Sequence, residues 1–140
     1  MLGITKCNVA LQYLTKLEQT EEVKNYVNET LFIRALCMYH LMDCFGHFPM
    51  REYTETDYSK LPVILEREQA LSRIITELET IIPQLKEKGE VPYGRITKAA
   101  AQLLLAKVYL NYQVYTGTAP TFADGQSKWT ETIDLCDDII

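Results

Sequence analysis

Cys37, His40, Cys44 and His47 carry side chains that ligate borderline-soft metal ions, and they fall within one short stretch. On a single helix ten residues rise ~15 Å at 1.5 Å each, and metal–ligand bonds are about 2.0–2.3 Å long. One ion therefore cannot meet all four; only His40 and Cys44, one turn apart, could share one. Core packing explains the set more simply, so no metal and no cofactor is expected. Tyr109, Tyr112 and Tyr115 recur at three-residue steps and, with Trp129, could build a platform. Ring faces suit sugars, because they cover apolar C–H surface while hydroxyls stay wet. Tyr115 and Trp129 are the candidates here, although packing between helices accounts for Tyr109 and Trp129 equally well. Tyr53 and Tyr58 stand among Glu52, Glu55 and Asp57 in a proline-bounded stretch, 46–62. Loops on rigid scaffolds often carry function; a solvated connector is the alternative. Arg34 and Asp43 lie about two and a half helical turns apart and cannot face each other. A buried charge needs a partner, and Glu29 or Glu77 could pair with Arg34. No serine–histidine–acid set, glycine-rich phosphate loop or carboxylate dyad stands out, so the chain does not read as an enzyme.

The elements that must hold these residues are helical. Apolar residues recur at i, i+3, i+4 and i+7 nearly everywhere, and no run alternates as a strand would. Glycine- and proline-containing stretches at 46–62, 89–95 and 116–126 divide the chain. About five helices result. The first covers 4–17, with Val9, Tyr13 and Leu17 at four-residue steps. The second starts at a Thr20 cap followed by Glu21 and Glu22, which complement the positive end of the helix dipole, and stops at Gly46. It is apolar on two faces and should pack on two sides. The third, 66–85, carries Leu71, Ile74, Leu78, Ile81 and Leu85 on one face, and Pro83 should bend or fray its last turn. The fourth begins at Thr97, and the fifth near Ser127. Met42, Leu78, Ile81, Leu103, Leu104 and Val108 are expected in the core. The fold class is all-α, without a sheet: antiparallel helical hairpins stacked in a tetratricopeptide-like superhelix. Residues 1–140 make one helical domain.

The composition bounds the function. Hydrophobic residues at 47% and charged residues at 24% describe an ordinary globular domain. A net charge of −5 gives no electrostatic reason to hold a phosphate backbone, so nucleic acid is not an expected partner. No stretch is apolar and long enough for a membrane-spanning helix. The opening MLGITKC ends in a cysteine, but its apolar part is short and Lys6 stands where a small residue belongs, so it does not read as a lipoprotein signal. Trp129, Ile133, Cys136 and Ile140 form an apolar stripe that runs to the last residue, as in a piece of a longer chain.

Three ordered segments resemble one family. Residues 32–50 (FIRALCMYHLMDCFGHFPM) are similar to the FLRAxxYFxLVxxFGDVPL signature of the SusD/RagB family, with Glu29 where that family has an acid before the signature. Residues 74–79 (IITELE) resemble its IIxDLExA segment. Residues 94–110 (GRITKAAAQLLLAKVYL) resemble its GRxTKxAAxALLAKVYL block, and residues 129–140 its next helix. Cys37, Met38 and Cys44 replace aromatic or aliphatic residues, and His47 replaces the usual Asp. The resemblance implies a lipid-anchored, surface-exposed lipoprotein of the Bacteroidetes outer membrane. Such a protein captures oligosaccharides, or sometimes peptides, and delivers them to a TonB-dependent, SusC-like transporter without catalysis. This stretch resembles the family's tetratricopeptide-like scaffold. Its sugar-contacting aromatics lie mostly outside the stretch, so none is carried over. A generic tetratricopeptide-like protein-interaction module is the alternative.

Overall fold

The computed structural model describes residues 2–57 and 59–140. Six α-helices and one short 3-10 turn are present among them: α1 (Leu2–Leu14), α2 (Glu21–Phe45), α3 (Arg67–Ile81), the 3-10 turn Ile82–Gln84, α4 (Lys98–Leu110), α5 (Tyr112–Thr116) and α6 (Trp129–Ile139). Helices α1, α2, α3, α4 and α6 pack in that order, each against the next. Arg67 at the start of α3 meets Gly46 at the end of α2, and Glu77 meets Arg34, so these two helices run antiparallel. Tyr109 of α4 reaches Glu79 of α3, while the Lys98 N–H donates to the Lys86 carbonyl. That pair is antiparallel as well. The helical-hairpin stack read from the sequence is thus the fold.

Local chemistry explains the boundaries. The Thr20 hydroxyl accepts from the Val23 N–H at 3.3 Å, satisfying one of the open donors at the start of α2. At its end Gly46 adopts a φ of 76° and donates its N–H to the Met42 carbonyl, a left-handed closure that glycine makes without strain. The Glu66 N–H donates to Gln69 Oε1 at 3.1 Å to start α3. Pro83 tightens the end of α3 into the 3-10 turn, as its position predicts.

The core is built from Phe32, Ala35, Met38 and Met42 of α2, Ala70, Leu71, Ile74, Leu78 and Ile81 of α3, and Ala101, Leu104, Leu105 and Val108 of α4. Five of the six expected core residues are there. Leu103 is the exception, 52% exposed. Helix α4 turns Ala101, Leu104, Leu105 and Val108 inward and buries Gln102, Ala106 and Tyr109 too. Leu103, Lys107, Leu110 and Val114 are left as an outer stripe. A helix apolar around most of its circumference does not reveal which face is outermost.

Helix α1 corrects a second expectation. Its buried residues are Ile4, Cys7, Asn8 and Leu11, and it ends at Leu14. Val9, Tyr13 and Leu17 are exposed. The true stripe contains an asparagine, which a search for apolar periodicity passes over. A third correction is a two-stranded antiparallel sheet, β1 (Phe48–Met50) with β2 (Val63–Leu65), in the register Phe48↔Leu65, Pro49↔Ile64, Met50↔Val63. Strands of three residues are too short for alternation to stand out, yet Phe48 and Met50 both enter the core. The expected fourth helix also breaks at Asn111, where φ is −97° and ψ 8°, giving α4 and α5.

A charged anchor and a tyrosine cleft

Two polar arrangements stand out from this scaffold. The first is a buried ionic network between α1, α2, α3 and the loop 51–62. The Arg34 side chain is 1% exposed. Its guanidinium donates to both carboxylate oxygens of Glu77 and to Asn8 Oδ1 at 3.0 Å. Arg73 donates to Glu77 Oε1 at 2.9 Å and to Glu52 Oε2 at 2.8 Å. Two arginines and two glutamates thereby cancel one another's charge. Asn8 donates to the Arg51 carbonyl at 2.6 Å, and the Tyr53 ring lies 5.5 Å from the Arg34 guanidinium carbon. Arg51 itself donates to the carbonyls of Asp57 and Lys60. The loop is pinned to the helices at its base and braced across its tip. Glu77, one of the two partners expected for Arg34, is the one that pairs with it. Glu29 holds Arg95 instead, at 2.9 Å, with the Arg95 guanidinium over the Tyr26 ring.

The second arrangement is a cleft of about 650 Å³ between α3, the end of α4, α5 and the loop 117–128. Glu68, Ser72, Thr76 and Glu79 line it from α3, Tyr109, Tyr112 and Tyr115 from α4 and α5, and Asp124, Gln126 and Lys128 from the loop. The Tyr109 hydroxyl donates to Glu79 Oε1 and the Tyr115 hydroxyl to Asp43 Oδ1, both at 2.7 Å. Burial first, and these hydrogen bonds second, push both hydroxyls well above the ordinary tyrosine range. Gly125 lets the loop close over the cleft, since a Cβ there would stand 2.0 Å from the Gln113 carbonyl oxygen.

The candidate sugar-contacting residues do not share one surface. Tyr115 lines the cleft but is buried, with its hydroxyl committed to Asp43. Trp129 is exposed on the outer side of α6, in line with Ile133 and Ile140. Tyr53 lies over Arg34 near the opposite edge of the stack. Tyr58 falls outside the described residues. What the sequence reading missed is the grouping of Glu68, Glu79 and Lys128 with the tyrosines; the break at Asn111, which swings α5 towards α3, has no strong signature. Core packing does not account for the metal-ligating set: Cys37 is half-buried, while His40, Cys44 and His47 are exposed. No group of three or more His, Cys, Asp or Glu side chains that could hold a metal ion occurs among the described residues. Nor is any described helix long and apolar enough to cross a membrane.

The helical stack and its motif blocks define a family. A SusD-like family model, described as "Starch-binding associating with outer membrane", matches residues 2–110, and the chain belongs to that family. Among curated proteins it is 38% identical over 111 residues to the starch-binding protein SusD of Bacteroides thetaiotaomicron, an alignment covering 76% of this chain and 20% of that protein. A SusD-like carbohydrate-binding protein of Bacteroides fragilis superposes with a TM-score of 0.77 at 18% identity, covering 97% of this chain and 25% of the other. A SusD superfamily protein of Parabacteroides distasonis gives 0.74 at 28% identity, over 97% and 28%. A structure determined with a xylogluco-oligosaccharide gives 0.76 at 17% identity, over 98% and 27%. The chain thus spans 20% to 28% of the length of these relatives.

Proposed function

We propose that this chain is the helical scaffold of a glycan-capturing protein at the Bacteroidetes cell surface, lipid-anchored in the outer membrane. The complete protein holds oligosaccharides and hands them to a TonB-dependent, SusC-like transporter. It binds and does not catalyse. The observation that carries this reading is the 38% identity to a starch-binding protein, which spans three quarters of this chain. The charges of Arg34 and Arg73 are compensated by Glu77 and Glu52, in support of an anchoring role for them rather than a chemical one.

Tyr115, Trp129, Tyr53 and Tyr58 remain candidates for ligand contact in the complete protein, with Trp129 the most available of those described. The exposed stripe of Trp129, Ile133 and Ile140 suits packing against a further helix of a longer chain. Aromatics scattered over separate surfaces do not offset the cost of ordering a flexible sugar. The 140-residue chain alone should therefore bind oligosaccharides weakly, and the complete protein measurably. Isothermal titration of both against a glycan panel tests this. Absence of binding by the complete protein to any glycan would favour a peptide ligand or the interaction-module alternative.

A further inference from the structure

The tyrosine cleft already holds an ammonium group. Lys128 Nζ lies 4.6 Å from the Tyr109 ring centroid and 5.5 Å from that of Tyr112. The two rings meet edge to face at 6.4 Å and form two walls around it. Aromatic faces attract cations within about 6 Å of the ring centroid. Glu68, Glu79 and Asp124 also line the cleft, and among its described lining residues Lys128 is the one cation. The carboxylates outnumber the charge that compensates them. Lys128 has a second partner, Glu131 at 3.0 Å, which is not among the lining residues.

We propose that this cleft binds an amino-sugar residue with a free primary amine, and that the Lys128 ammonium is the internal stand-in for that amine. The inference rests on the glycan-capturing reading above and names a ligand class for a surface that reading leaves unassigned. The ligand's ammonium takes the place of Nζ against Tyr109 and Tyr112, with Glu79, which accepts from the Tyr109 hydroxyl, balancing its charge. Ring hydroxyls meet Ser72, Thr76 and Gln126. A volume of about 650 Å³ falls in the ordinary range for small-ligand sites. A neutral hexose brings no charge to balance the carboxylates, and N-acetylation removes the charge altogether.

The test is titration calorimetry on the complete protein, at low salt, with three probes: glucosamine oligomers bearing free amines, N-acetylglucosamine oligomers of equal length, and malto-oligosaccharides. Glucosamine oligomers should bind and weaken as salt rises. Lys128→Gln should tighten them about two- to fivefold, the worth of one cation–π contact at a wet site. Tyr112→Leu, which keeps apolar bulk, and Glu79→Gln, at an exposed position, should each weaken them by a similar factor; thermal melts verify folding. None of the three substitutions should alter binding of the neutral oligomers. Failure of glucosamine oligomers to bind both the wild type and Lys128→Gln overturns the proposal, as does binding that ignores Tyr112→Leu and Glu79→Gln. If the neutral glycans bind while the free-amine probe does not, this inference falls and glycan capture stands. If no glycan binds at all, both fall.

Discussion

Replacing Glu77 should cost more than replacing the arginine it binds. Arg34 is 1% exposed, and without Glu77 its guanidinium keeps only Asn8 at 3.0 Å and a distant Glu52 at 4.0 Å. Breaking a buried pair in this way costs about 3–5 kcal/mol, because a charge is left without compensation. Removing Arg34 leaves Glu77 with Arg73 at 2.9 Å, a partner about one-third exposed that water and Glu52 also stabilise. The loss then approaches that of one charged hydrogen bond, about 1.5–3 kcal/mol. Glu77→Leu should therefore destabilise more than Arg34→Met, and the double variant less than the two losses added. Urea unfolding of the 140-residue chain, followed by far-ultraviolet circular dichroism, measures all three. Losses below about 1 kcal/mol for both single variants, far from the buried-pair range, would refute the reasoning. So would Arg34→Met proving the costlier change.

Leu78→Ala, at a fully buried site, should cost about 2–5 kcal/mol, whereas Leu103→Ala, on the outer stripe, should stay within about 1 kcal/mol in the same assay. Because Tyr109 and Tyr115 keep their protons above the ordinary value of 10.0, the folded chain retains protons that the unfolded chain releases. Stability should be complete below that pH and fall as pH rises through it. Melting temperatures across the alkaline range check the sign, and Tyr115→Phe should flatten the slope. Gly125→Ala should cost about 1–3 kcal/mol as the loop is forced off the Gln113 carbonyl. Faster amide hydrogen exchange confined to residues 117–128 would be its signature.

Helix order and the two-sided packing of α2 were legible because long apolar periodicity survives any tertiary context; helix number was missed by one, at the break at Asn111. Glu77 was legible as a partner for Arg34 because a buried arginine demands a carboxylate. The buried face of α1 was not, because Asn8 earns its place through Arg34, twenty-six residues away. Neither was the orientation of α4, where leucines point in several directions and the positions of α3 and α6 decide which are covered. The cleft was half legible. The tyrosine spacing marked it, but its carboxylates come from α3, and no local pattern announces that α5 and the 117–128 loop will close against that helix.

The order of packing, α1–α2–α3–α4–α6, has a consequence for how this molecule unfolds. In a serial stack each helix leans on its neighbours, so loosening at one end is felt at the other only through the helices between. The Asn8–Arg34–Glu77 bridge crosses three helices and welds the first half into one unit. The second half is tied to α2 more thinly, by Tyr115 on Asp43 and by Arg95, just ahead of α4, on Glu29 and Tyr26. The chain should therefore open in two blocks rather than one, with α4 to α6 exchanging their amide hydrogens ahead of α1 to α3. Helix α3 belongs to both blocks and should be the last to let go.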